Sequence, residues 1–135
     1  MQIQAVWFVC PKIYWGTERE KKLMKGITRK IKRCYVETAN VPGHEKNYRK
    51  WKRDTGHGMD YYFKCVLPRM DAGVFLPFKD GMFGAGAYEE AETLDKNEKR
   101  IYEINLRGKI KEFILDESRR LSIEDTRKRY RQYKI

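Results

Sequence analysis

Residues 3–10 are almost wholly apolar and rich in Val and aromatic side chains, a pattern that predicts a central strand buried on both faces. Pro11 and Gly16 break the run. Thr17 then caps a predicted helix in which Leu23, Ile27 and Ile31 recur every four residues with Met24 beside them. Tyr35 and Val36 start a short second strand. Residues 38–58 are polar and basic, carry Pro42, Gly43, Gly56 and Gly58, show no period, and read as a loop. A loop of about 20 residues in a small domain is more often functional than inert.

Residues 59–67 predict a second helix, with Tyr62, Phe63, Val66 and Leu67 as its apolar stripe. A third strand is expected over 72–77, a third helix over 87–97, a fourth strand over 100–104 and a fifth over 109–115. Ser122 and Asp125 have capping-box spacing and open a last helix that runs to about Tyr133. Each of the first three strands is followed by enough chain for a right-handed crossover. The order predicts one α/β domain over 1–135, a three-layer sandwich around a mostly parallel sheet of four or five strands.

Composition narrows this picture. An apolar content of 41% suits a real core, and no apolar run reaches the roughly 18 residues of a membrane span. The first ten residues lack the basic start and small-residue cleavage site of a signal peptide, so a cytoplasmic protein with no membrane partner is expected. Cys10, Cys34 and Cys65 are odd in number and widely spaced, and read as buried free thiols. His44 and His57 have no second ligand at metal spacing, which gives no metal site.

The net charge of +11 is unevenly spread: residues 19–53 carry +10, residues 54–106 carry −4, and residues 107–135 carry +5. Basic flanks suit a polyphosphate or nucleic acid, and an acidic middle suits a sugar or a cationic transition state. Tyr48, Trp51, Tyr61 and Tyr62 interleave with Arg49, Lys50, Lys52 and Arg53, the ingredients of single-strand binding. The same aromatics would equally anchor the segment to the core, and the same cations would equally be a solvated face. His57, between two glycines ahead of a helix, is a phosphate-binding candidate or an exposed loop residue.

The richest chemistry lies in residues 71–92. They read as a buried strand, a glycine-rich turn and the first turn of a helix carrying Glu89, Glu90 and Glu92. Glycines let the backbone close around a ligand, and strand C-terminal ends are where open α/β sheets bind. A carboxylate there is a candidate nucleophile or base, or merely complements the helix dipole.

Cys10-Pro11 with Tyr14, Gly58-Met59-Asp60-Tyr61-Tyr62-Phe63, the strand from Asp71 to Pro77, and Asp80-Gly-Met-Phe-Gly84-Ala-Gly86-Ala-Tyr88-Glu-Glu90 occur in that order. Together they resemble the nucleoside 2-deoxyribosyltransferase superfamily, and the closing Leu121-Ser-Ile-Glu-Asp-Thr126-Arg127 is similar to a small branch of it. The resemblance implies a flavodoxin-like doubly wound fold, no cofactor, and cleavage or transfer at the N-glycosidic bond of a nucleoside or nucleotide. It places the nucleophile at Glu90, the sugar-holding aspartate at Asp80 and the pocket aromatic at Tyr14. Gly84, Gly86, Pro11 and Asp71 fall at further substrate positions, and a homo-oligomer is expected. A one-residue shift in the turn would pass the nucleophile's role to Glu89. The alternative is a non-enzymatic nucleotide- or nucleic-acid-binding module, with Arg49, Lys50, Lys52 and Arg53 as its phosphate contacts. A third reading is an interaction protein whose basic flanks meet an acidic partner.

Overall fold

The computed structural model describes residues 2–132; Tyr133, the expected end of the last helix, lies outside the described residues. Strands β1 (Ala5–Val9), β2 (Tyr35–Glu37), β3 (Ala72–Phe75), β4 (Arg100–Ile104) and β5 (Ile110–Glu112) form one sheet in the order β2-β1-β3-β4-β5. The first four are parallel, and β5 returns antiparallel to β4 through a turn closed by Gly108 at φ 84°. This is the flavodoxin-like strand order, and its direction of winding reverses between β1 and β3.

Alternation along β1 divides the core between the two faces. Ala5 and Trp7 point one way and Val6 and Phe8 the other, as a period of two requires. Helix α1 (Glu18–Lys30) covers the Val6–Phe8 face with Leu23 and Ile27. Helix α3 (Ala85–Lys96) covers the opposite face with Tyr88, Ala91 and Leu94, beside the turns of residues 61–67. Gly73 on β3 is required for this closeness, because a Cβ there would meet Leu94 at 2.6 Å.

Three sequence expectations about the fold need correction. Residues 38–58 are not a loop, for helix α2 (Pro42–Thr55) occupies most of them, with Pro42 at its start and Gly56 ending it at φ 78°. No α2 residue is buried, which is why no hydrophobic period marks it. Residues 59–67 form a π-helical turn (Tyr62–Val66) that runs into a 3₁₀ turn (Leu67–Arg69) rather than a regular helix. Among the thiols, Cys10 and Cys34 are buried as expected, but Cys65 is exposed.

Helix α4 (Ile123–Gln132) opens at Ser122, whose Oγ accepts the Asp125 N–H at 3.0 Å. It lies against the glycine-rich turn, where Thr126 Oγ1 accepts the Ala85 N–H at 3.0 Å. No described helix is long and apolar enough to cross a membrane.

Candidate active site

A cavity of about 390 Å³ opens at the C-terminal ends of β1 and β3, at the switch point of the sheet. Its volume is in the range of small-molecule sites. Trp7, Tyr48, Tyr62 and Phe78 give it aromatic walls; Gly84 and Gly86 line it at the start of α3. Lys12, Arg49 and Glu45 bring charge to it.

Glu90 is its buried carboxyl. One turn into α3, the side chain lies among the lining residues and accepts the Trp7 Nε1–H at 3.3 Å. Burial pushes its pKa up to about 8; the Trp7 bond works against that rise, and the charge of Glu89 adds to it. A carboxylate this close to a helix start is expected to stay ionised, but for Glu90 removal from water outweighs the helix dipole. Its neighbours take other directions. Glu89 is exposed, about 100° around the helix, and Glu92 pairs with Arg120 at 2.9 Å.

Of the other expected site residues, Gly84, Gly86 and Pro11 line the cavity with Glu90, whereas Asp80, Tyr14, Asp71 and His57 do not. Asp80 is committed elsewhere. Its Oδ1 accepts the Met82 N–H at 3.2 Å and Arg129 Nη1 at 2.8 Å, and the Arg129 guanidinium holds its carboxyl down to about 2. Asp80 thus shapes the turn and tethers α4. Tyr14 closes the 3₁₀ turn Lys12–Tyr14 and packs on the α1 side of the sheet, and the aromatic that reaches the cavity is Trp15. Asp71 lies at the other end of the sheet, where its Oδ2 accepts the Gln4 and Ala5 N–H groups at 2.9 and 2.8 Å. His57 is exposed beyond α2.

The four expected phosphate contacts are separated by α2. Arg49 faces the cavity, paired with Glu45 at 2.6 Å, while Lys50, Lys52 and Arg53 are exposed and Arg53 meets Asp54 at 3.3 Å. The interleaved aromatics are anchors, since Tyr48 and Trp51 pack on the core and Tyr61 and Tyr62 are buried in it. Burial pushes the Tyr62 hydroxyl up to about 12.

Two polar groupings escaped the sequence reading. Buried Glu20 accepts the Gly16 N–H at 3.0 Å and Asn40 Nδ2 at 3.2 Å, and so joins the loops after β1 and β2. The Cys10 thiol, 3.7 Å from Glu20, is held well above its usual range by burial and by that carboxylate. The Thr17-x-x-Glu20 spacing was the signal, a capping-box pattern whose Glu reaches back past the cap. His44 bridges Tyr61 Oη at 2.6 Å and Glu37 Oε2 at 3.1 Å, with its ring edge-on to Trp7. Nothing local in the sequence announced that contact, which depends on the fold of α2 over β2.

Fold and site together define a flavodoxin-like α/β protein with a ligand-sized, aromatic-walled cavity that contains one buried carboxyl group. No protein-family model, curated protein or solved structure matches the chain.

Proposed function

We propose that this protein cleaves or transfers the glycosyl group at the N-glycosidic bond of a nucleoside or nucleotide, with Glu90 as the group that meets C1′. The observation that carries the reading is a glutamate carboxyl buried in the wall of the switch-point cavity, at the position where the sequence resemblance puts the nucleophile. Breaking the C1′–N bond builds positive charge on the sugar, and a poorly hydrated carboxylate stabilises or captures it. In the covalent form of the reaction, a Glu90 oxygen bonds C1′ as the bond to the base breaks, and the base takes a proton from water. Water or a second base then attacks C1′ and restores the carboxylate. The aromatic walls supply stacking surface for a base.

The test is chromatography of free base after incubation with a panel of nucleosides and 5′-monophosphates. The parent should release base and Glu90→Gln should not, a loss of at least about 10³-fold in kcat/KM. Since the ionised form acts and burial holds Glu90 near pH 8, kcat/KM should rise with pH and level off above about 8. A rate that instead falls above that pH would make Glu90 a proton donor to the leaving base.

A second reading, a nucleotide-binding module without catalysis, is favoured by one observation: Asp80 is engaged by Arg129 and no second buried carboxylate lines the cavity among the described residues. Binding of a panel member with no base released at any pH would select it.

A further inference from the structure

Helix α1 turns a second, chemically different surface to solvent. Lys22, Lys25 and Arg29 follow one another at spacings of three and four residues, which puts about one positive charge on each helical turn, and Lys32 stands in the turn just past the end of α1. All four are exposed, and among the described residues none has a carboxylate within 4.0 Å; the one ion pair on the helix is Lys21–Glu18. The turn between β4 and β5 is fastened to the same helix, for Arg19 donates to the Leu106 carbonyl at 3.1 Å and Lys30 to that of Gly108 at 3.0 Å. Arg107 and Lys109 thereby join the basic face.

The helix bears two local costs here that packing does not explain. Like charges one turn apart repel, and Gly26 weakens the helix interior although a Cβ there would meet nothing within 4 Å. A glycine among exposed cations leaves room for a phosphate chain to lie close to the helix.

We infer that α1 and the β4–β5 turn form a docking surface for the sugar–phosphate backbone of a nucleic acid. Two observations favour that partner. The apolar side of α1 is buried under the sheet through Leu23 and Ile27, and none of the large exposed apolar residues lies on it, so it has nothing to insert into a lipid layer. A protein partner would need a central apolar or aromatic anchor, which the stripe lacks, whereas nucleic acid is held by charge alone. The surface lies on α1 and not on α2, where Arg49 and Arg53 are already paired with acids. It stands whether or not the cavity is catalytic.

Fluorescence anisotropy with a labelled single-stranded oligonucleotide, between about 50 and 200 mM salt, tests it. The parent should bind with a steep log–log salt slope. Changing Lys22, Lys25, Arg29 and Lys32 to Gln should lower that slope by about three, at about 0.7 per lost contact, while Lys50→Gln with Lys52→Gln should leave it in place. Gly26→Leu should weaken binding with every charge retained, and Gly26→Ala should raise the melting temperature. The inference is overturned if the four-charge variant binds like the parent while melting normally. Equal binding to vesicles of phosphatidylserine and phosphatidylcholine in equal parts, lost in that variant, would overturn it in favour of a lipid surface.

Discussion

Glu90 joins the stability of the protein to its chemistry. In the unfolded chain its carboxyl titrates near 4.5, and in the folded protein burial moves it up to about 8. Between those values the native state holds a proton that the unfolded state has released, so stability is fully present below about pH 4.5 and declines as pH rises through 8. The decline from this one group is at most on the order of 5 kcal/mol. Glu90→Gln has the same shape without the titration, and keeps an oxygen for the Trp7 N–H. Urea denaturation from pH 5 to 9 should therefore show the parent losing stability relative to Glu90→Gln, with the gap widest at the alkaline end. Parallel curves would mean that the carboxyl is hydrated and not buried as described. The residue that weakens the fold at high pH is thus the one whose charge the proposed reaction requires.

At the scale of elements, α4 supplies what α3 lacks. Helix α3 begins at Gly84, which has no side chain to cap it, and the Ala85 N–H is satisfied by Thr126 Oγ1 from α4. The Thr126 methyl fills the space above Gly84, where a Cβ would stand 3.2 Å from it. Thr126→Val keeps that shape and removes the acceptor, and should cost about 1 kcal/mol in urea denaturation, the usual loss for a helix cap. Thr126→Ser should cost less; a Thr126→Val protein as stable as the parent would show the cap to be idle. Such cross-element contacts mark the limit of what the sequence disclosed. The strands were legible because buried β1 and β3 are unbroken apolar runs, and α1 because Leu23 and Ile27 repeat at helical spacing over a cap. Helix α2 was hidden because its contacts with the core are those of His44, Tyr48 and Trp51 among charges, and its Pro and Gly boundaries look like loop punctuation. Glu90 was singled out by the family resemblance carried through Gly84, Gly86 and Tyr88, and it lies in the cavity wall. The engagement of Asp80 by Arg129 was not, since the partners stand 49 residues apart and meet through the packing of α4.

For the molecule as a whole, the switch-point cavity gathers pieces from most of the chain: the end of β1, α2, the turn after β3, the start of α3 and α4. A ligand seated there touches groups that come together when the chain folds, so it binds the native state and raises its stability by mass action. At a concentration about 100 times its Kd the gain is about 2.7 kcal/mol. For a domain of this length that corresponds to roughly 8–10 °C in melting temperature. We expect such a shift with at least one nucleoside or 5′-monophosphate, and we expect Glu90→Gln to show it too. The aromatic walls that the proposal assigns to the base are Trp7, Tyr48, Tyr62 and Phe78, and they are unchanged in that variant. Tyr48→Ala and Phe78→Ala should each reduce the shift, whereas Asp71→Asn, at the far end of the sheet, should change the melting temperature without changing the increment a ligand adds. A shift in Glu90→Gln with no base released would separate binding from chemistry and leave the carboxylate as the missing part. The absence of any shift across the panel, in parent and variant alike, would remove nucleosides and nucleotides as ligands of this cavity, whatever the fate of the α1 surface.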